Sequence, residues 1–207
     1  MKHGSLFTGF GGWDVGARAA GFDLAWGVEY IPEIAAVANA NLGGHVRVGD
    51  ILDMDPTTFE QVDALHVSPP CPNFSVAKTG RGETENDIAL GRKVAEFIMV
   101  HRPRIFTLEN VWGYRHSESW VIILETLNSL GYWFDMAHVN AADFGVPQTR
   151  KRMIVRAVLG DGCPACPSRS RGSVGMRLSR TSYPPCPRPA LPPGSSKGCP
   201  KRSRTLS

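Results

Sequence analysis

His3-Gly4-Ser5-Leu6-Phe7-Thr8-Gly9-Phe10-Gly11-Gly12-Trp13-Asp14-Val15-Gly16-Ala17-Arg18-Ala19-Ala20 holds three signals in succession. His3–Thr8 reads as a strand, Gly9–Gly12 as a tight turn, and Trp13–Ala20 as a helix. A strand feeding a helix through glycines is the first half of a βαβ unit, and the pattern recurs downstream. Leu24–Glu29 is strand-like. The next helix takes Pro32 into its first turn and stops at Gly43-Gly44, the usual Pro-in, Gly-out asymmetry. Val46–Val48 and Asp63–Val67 read as short strands, Asn86–His101 as a helix, and Arg104–Leu108 as a strand ending in Glu109. In Ser117–Leu130 the residues Trp120, Ile123, Leu124, Leu127 and Leu130 share one helical face, and Gly131 supplies the stop. Tyr132–Val139 and Met153–Leu159 are the last strand candidates. Strands alternating with helices predict an α/β fold, a doubly wound, mostly parallel sheet with helices on both faces. In such sheets ligands bind beyond the carboxyl ends of the strands. The Gly9 turn, Glu29, Asp50, Cys71 and Glu109 all fall at such ends.

A chain of 207 residues, 42% of them hydrophobic, suits one domain with a sizeable core. No run of 18 apolar residues exists, so a membrane helix is not expected. The start, Met1-Lys2-His3-Gly4-Ser5, enters a strand pattern without a signal peptide's apolar core. A cytoplasmic, reducing location is the expectation, with Cys71 a free thiol. The formal net charge of +4 hides an asymmetry. Residues 160–207 hold nine Lys/Arg against Asp161 alone, whereas residues 1–159 hold 14 basic and 18 acidic residues. The body is therefore not a basic nucleic-acid surface by composition. The last 48 residues also contain nine Pro and nine Ser with no apolar periodicity, and are expected to be disordered. The domain expectation is thus 1–158 for the folded unit and 159–207 for a basic tail. The switch is abrupt, as a frame change or truncation would make it.

The motifs carry the chemistry. Glycines at 9, 11 and 12 let backbone amides approach a nucleotide or amino-acid ligand closely, although such turns are also common in purely structural roles. The spacing is not GxGxxG and lacks a phosphate loop's Lys-Ser/Thr, which disfavours a nicotinamide or ATP site. Glu29 can accept from both hydroxyls of a ribose, and Asp50 from an adenine amine, while Phe7 and Tyr30 offer aromatic faces. Either carboxylate alone reads as a solvated loop residue. Cys71 stands among Pro69, Pro70 and Pro72 at a strand end, where a stiff loop preorganises a nucleophile. A lone cysteine is otherwise a small hydrophobe. In Gln148-Thr149-Arg150-Lys151-Arg152, the strand period of two puts Arg150 and Arg152 on one side. Their forks suit a carbonyl or phosphate oxygen, or simply a solvated edge. Cys163, Cys166, Cys186 and Cys199 offer a weak zinc pattern, because 12 residues separate the members of the second pair.

In order, Leu6-Phe7-Thr8-Gly9-Phe10-Gly11-Gly12, Glu29, Gly49-Asp50-Ile51, Pro70-Cys71-Pro72-Asn73-Phe74-Ser75, Glu109-Asn110-Val111 and Gln148-Thr149-Arg150-Lys151-Arg152 resemble the C5-cytosine DNA methyltransferase family over about residues 4–158. The resemblance implies a Rossmann-like methyltransferase sheet, S-adenosylmethionine as cofactor, and double-stranded DNA from which cytosine is flipped. A restriction endonuclease is a candidate functional partner, whose existence the sequence leaves open. Cys71 matches the nucleophile that adds to C6, and Glu109 the acid that holds N3 and the exocyclic amine. Asn110 resembles the brace of the cysteine loop, and Arg150 and Arg152 the pair near the cysteine and the base oxygen. Phe7, Gly9, Gly11, Gly12, Glu29, Tyr30, Asp50, Ile51 and Pro70 fall on cofactor-contact positions.

Ser5 stands where the family usually has Asp, and Pro72 where it has Gln. Nothing after Val158 resembles the family's target-recognition domain or its closing motif. The alternative reading is accordingly a catalytically impaired fragment that keeps only cofactor or DNA binding. The other major group of RNA C5 methyltransferases carries a second cysteine where this chain has Glu109, which disfavours that group, while the family branch acting on transfer RNA stays open although its characteristic continuation is not evident.

Overall fold

The computed structural model describes residues 1–70 and 82–160. Cys71 and the expected tail beyond Gly160, with its four cysteines, lie outside the described residues. Seven strands and four helices alternate as the sequence predicts. They are β1 (Lys2–Leu6), α1 (Gly12–Ala19), β2 (Asp23–Glu29), α2 (Pro32–Leu42), β3 (Val46–Val48), β4 (Ala64–Val67), α3 (Glu85–His101), β5 (Ile105–Asn110), α4 (Glu118–Ser129), β6 (Tyr132–Asn140) and β7 (Lys151–Leu159). They form one sheet in the order β3-β2-β1-β4-β5-β7-β6. The first five strands are parallel, and β7 runs antiparallel between β5 and β6.

Helix limits follow local chemistry. Pro32 opens α2 and Gly43, at φ 92°, closes it, with its N–H donating to the Asn39 carbonyl. Thr84 and Asp87 form a capping box at the start of α3. Ser117 caps α4 by accepting from the Trp120 N–H. Short 3-10 turns at Ile51–Asp53, Pro56–Thr58, Trp112–His116 and Ala141–Phe144 fill stretches that the sequence pattern leaves as loops.

Right-handed crossovers send α1 and α2 to one face as the chain steps from β1 to β3. They send α3 to the other face as it steps from β4 to β5. Side-chain alternation agrees. Leu65 and Val67 of β4 join the main core with Val94, Phe97 and Ile98 of α3 and Ile123 and Leu127 of α4. His66, between them, faces α1, where its ring stacks on Trp13 at 3.8 Å between centroids. A small cluster of Ala35, Ala38 and Val46 seats α2. The glycine turn lies at the carboxyl end of β1 with Gly9 and Gly11 at φ 58° and 81°. A Cβ on Gly11 would stand 2.4 Å from the Leu42 Cδ1 of α2, so both backbone conformation and space demand glycine there.

Two predictions follow from this packing. Gly11→Ala loses about 1–3 kcal/mol of stability by urea denaturation, because it combines a left-handed conformation with a collision. Gly12→Ala, where an added Cβ meets nothing within 4 Å, changes stability by less than about 1 kcal/mol. His66 is buried, and burial, then the charge of His3, holds its pKa down to about 3. Its folded pKa lies below the ordinary value of 6.5, so the unfolded chain takes up the proton first. The stability contributed by neutral His66 is complete above pH 6.5 and drains away as pH falls toward 3, by about 1.4 kcal/mol per pH unit. Urea midpoints measured from pH 7 to pH 4.5 should fall more steeply for the wild type than for His66→Gln; parallel curves would refute the assignment.

Candidate active site

Parallel strands aim their carboxyl ends at one edge of the sheet, and the strand order reverses between β1 and β4. A ligand crevice belongs at that reversal. A cleft of about 350 Å³ lies there, lined by Phe7 after β1, Val28 and Tyr30 at the end of β2, and Gly49 to Leu52 after β3. Pro70 after β4 and Asn86 and Leu90 of α3 complete the wall. Ile51 is buried at its base, whereas Tyr30 is 68% exposed and stands at its rim. Asp50 caps the following 3-10 turn, its Oδ1 accepting from the Leu52 N–H at 2.9 Å. Phe7 holds a left-handed backbone, φ 59°, which is uncommon for a bulky side chain and keeps its ring against the cleft.

Of the cofactor candidates, Phe7, Tyr30, Asp50, Ile51 and Pro70 line this cleft. Glu29, Gly9, Gly11 and Gly12 do not line it; Gly12 lines a second cleft with His3, Trp13 and Thr107, and Glu29 is tied to the glycine turn. Oε2 of Glu29 accepts from the Gly9 N–H at 2.8 Å and Oε1 from the Ile31 N–H at 3.0 Å. A carboxylate offers about four lone-pair sites, so this clamp on the glycine turn leaves about two for a ligand. Asn86 was not legible as a cleft residue. The Thr84-x-x-Asp87 spacing marks the start of α3 and with it the turn that carries Asn86.

The neighbouring half of the same edge is built by β4, β5 and β7. Val67 pairs with Leu108, which brings the next residues, Ser68 and Glu109, side by side. The Ser68 hydroxyl donates to Glu109 Oε2 at 2.8 Å, and Arg152 Nε stands 2.7 Å from Oε1. The carboxylate is thus gripped from both sides while 22% of its side chain stays exposed. Asn110, 1% exposed, donates from Nδ2 to the Pro69 carbonyl at 3.2 Å and accepts the Val111 N–H at 2.8 Å. The last two residues of β5 therefore hold Ser68-Pro69, the segment that leads into Cys71.

Arg150 behaves differently from Arg152. It precedes β7, its backbone is tied to Asn140 and Ala141, and its side chain is exposed. Of the two arginines, the structure brings only Arg152 onto Glu109. Ser68 was missed because its partnership with Glu109 depends on strand register, which no local pattern encodes. Among the described residues, no group of three or more His, Cys, Asp or Glu could hold a metal ion, and no helix is long and apolar enough to cross a membrane.

The chain is similar in sequence and fold to known proteins. The model of the C-5 cytosine-specific DNA methylase family covers residues 1–169. The type II methyltransferase M.NgoBI of Neisseria gonorrhoeae is 34% identical over 153 residues, covering 72% of this chain and 48% of the relative. M.NgoPII of the same organism is 35% identical over 161 residues, covering 74% and 46%. The chain spans about half the length of the curated relatives it matches. Among solved structures, the S. pombe Dnmt2 methyltransferase superposes with a TM-score of 0.65 at 20% identity, covering 77% of this chain and 51% of that one. A protein encoded within an E. coli prophage gives 0.66 at 25% identity, covering 77% and 47%. With its sheet order, its cleft at the strand reversal and the family match over most of its length, the chain belongs to the C-5 cytosine-specific DNA methylase family.

Proposed function

We propose that this chain transfers a methyl group from S-adenosylmethionine to C5 of cytosine in double-stranded DNA, with residues 1–158 as its catalytic domain. The observation that carries the reading is the Glu109 carboxylate, gripped by Ser68 and Arg152, one strand away from the segment that enters Cys71. The cleft beside it fits an adenosyl group. Its volume lies in the small-ligand range, Phe7, Ile51 and Pro70 offer apolar faces for adenine, and Asp50 can accept from the exocyclic amine. Glu29 accepts from the ribose hydroxyls with the lone pairs left by Gly9 and Ile31, Tyr30 covers the rim, and Gly9, Gly11 and Gly12 admit the amino-acid end.

When bound, S-adenosylmethionine supplies a methyl group made electrophilic by its sulfonium. C5 of cytosine is too poor a nucleophile to take that methyl unaided. In this reading the base leaves the duplex, at a cost of a few kcal/mol, and lies between Cys71 and Glu109. The Cys71 thiolate bonds to C6, and Glu109 holds N3 and the exocyclic amine so that the ring accepts the electron pair. The resulting enamine makes C5 nucleophilic, so a sulfonium held by the cleft residues would give up its methyl there and leave as the neutral thioether. The C5 proton then passes to solvent, its bonding pair re-forms the C5–C6 double bond, and the Cys71 thiolate leaves C6, restoring the aromatic ring. A free thiol has a pKa of about 8.5, so only a few per cent is ionised at neutral pH without help, and Arg152, beside Glu109, supplies positive charge on the same edge of the sheet. Asn110 braces the cysteine loop through the Pro69 carbonyl. The type II naming of the relatives supports a restriction endonuclease as functional partner, acting in the cytoplasm.

Transfer of labelled methyl from S-adenosylmethionine to duplex DNA tests the reading on this chain. Wild type should label DNA, Cys71→Ser should fall to background, and Glu109→Gln should lose on the order of 10²–10⁴-fold. Undiminished labelling by Cys71→Ser would remove the covalent mechanism. Cofactor binding without any labelling would favour the binding-only alternative.

A further inference from the structure

Beneath the glycine turn, five polar side chains form a buried hydrogen-bonded chain that the reaction above does not use. Asp14, in the first turn of α1 and 1% exposed, is its centre. Its Oδ1 lies 3.2 Å from His3 Nε2, and its Oδ2 lies 2.8 Å from His45 Nε2. The same Oδ2 accepts from Ser5 Oγ at 3.0 Å, and Ser5 Oγ lies 2.8 Å from Thr8 Oγ1. Burial raises the Asp14 pKa, but hydrogen bonds from His3 and His45, the charge of His3 and the Ser5 hydroxyl together bring it down to about 2.

An ionised carboxylate only accepts, so the Ser5 proton is committed to Asp14, and the Thr8 hydroxyl donates toward Ser5, whose Oγ lies at 2.8 Å and whose backbone carbonyl lies at 3.4 Å. The carboxylate thereby fixes the Thr8 side chain. Thr8 sits between Phe7 at φ 59° and Gly9 at φ 58°. Its N–H donates to the Val28 carbonyl at 2.9 Å, and its own carbonyl accepts from Gly11 N–H at 3.0 Å. A bulky residue in the left-handed region persists only where its surroundings over-determine it.

We propose that Asp14 is a positioning residue for the cofactor turn: relayed through Ser5 and Thr8, it holds Phe7–Gly9 in the conformation that shapes the cleft. The role in binding rests on the adenosyl reading of the cleft.

The experiment uses the full chain with four proteins: wild type, Asp14→Asn, Thr8→Val and the exchange variant Ser5→Asp/Asp14→Ser. Amide hydrogen exchange reads the turn, and calorimetry reads S-adenosylmethionine affinity. In Asp14→Asn and Thr8→Val, the Gly9 and Gly11 amides should exchange about tenfold faster relative to the amides of β7, and Kd should rise about tenfold. The exchange variant should recover both. Thr8→Val cuts the relay at the turn while leaving Asp14 with Ser5 and both histidines, so it carries the test should Asp14→Asn not fold. A lowered melting point with no selective change at Gly9 and Gly11 would mark the network as structural only and overturn the proposal. A Kd unchanged by the substitutions, beside a wild type that binds, overturns it as well. A wild type that binds no S-adenosylmethionine, with the turn responding as expected, removes the adenosyl reading and leaves the hold of Asp14 on the turn standing.

Discussion

β1 and β4 are hydrogen-bonded parallel neighbours whose chains leave in opposite directions, one toward the helices of one face and one toward those of the other. Right-handed crossover geometry permits no other departure once the strand order is set. The two exits cannot fill the space between them, so an opening remains at the carboxyl edge whatever the side chains are. The remaining features furnish that opening. The glycine turn closes it on one side, and the Ser68-Pro69-Pro70 segment closes it on the other.

The two flanks are stabilised by different physics. On the β1 side, backbone conformation does the shaping, with positive φ at Phe7, Gly9 and Gly11 and a collision awaiting any side chain on Gly11. Buried polar groups compensate by fixing the turn in place. On the β5 side, the backbone is ordinary strand and side chains do the shaping. Glu109 is half-enclosed between a hydroxyl and a guanidinium, both of which donate to it. An ion pair left partly in water contributes modestly to folding. Its main effect is directional, because it sets where the carboxylate points.

Much of this was legible in the chain itself. Alternating strand and helix patterns, with Pro32 and Gly43 as punctuation, give every strand and α-helix to within two residues at either end. The carboxyl-edge positions of Glu29, Asp50 and Glu109 follow from that pattern together with the general rule for open sheets. Sequence period does not give strand order, so the insertion of antiparallel β7 between β5 and β6 was not foreseen. Neither was the Ser68–Glu109 contact, which depends on register across 41 residues. Asp14, His3 and His45 carry no motif. They meet because α1 folds back over β1 and the end of α2 returns nearby. The stacking of Trp13 on His66 was hidden for the same reason, as the two residues lie on elements far apart in sequence.

The sheet ends unequally. Its β3 margin is three residues long, whereas β6 runs nine residues, and among the described residues no strand pairs with its outer side. Tyr132, Trp133, Phe134, Met136 and Val139 give it strong strand character, and it contains no proline or lysine to blunt it. Unpaired N–H and C=O groups along such a margin form a template for another extended segment. Among the described residues, β6 thus carries the sheet's longest row of backbone N–H and C=O groups without a partner strand, the template that an added strand would need.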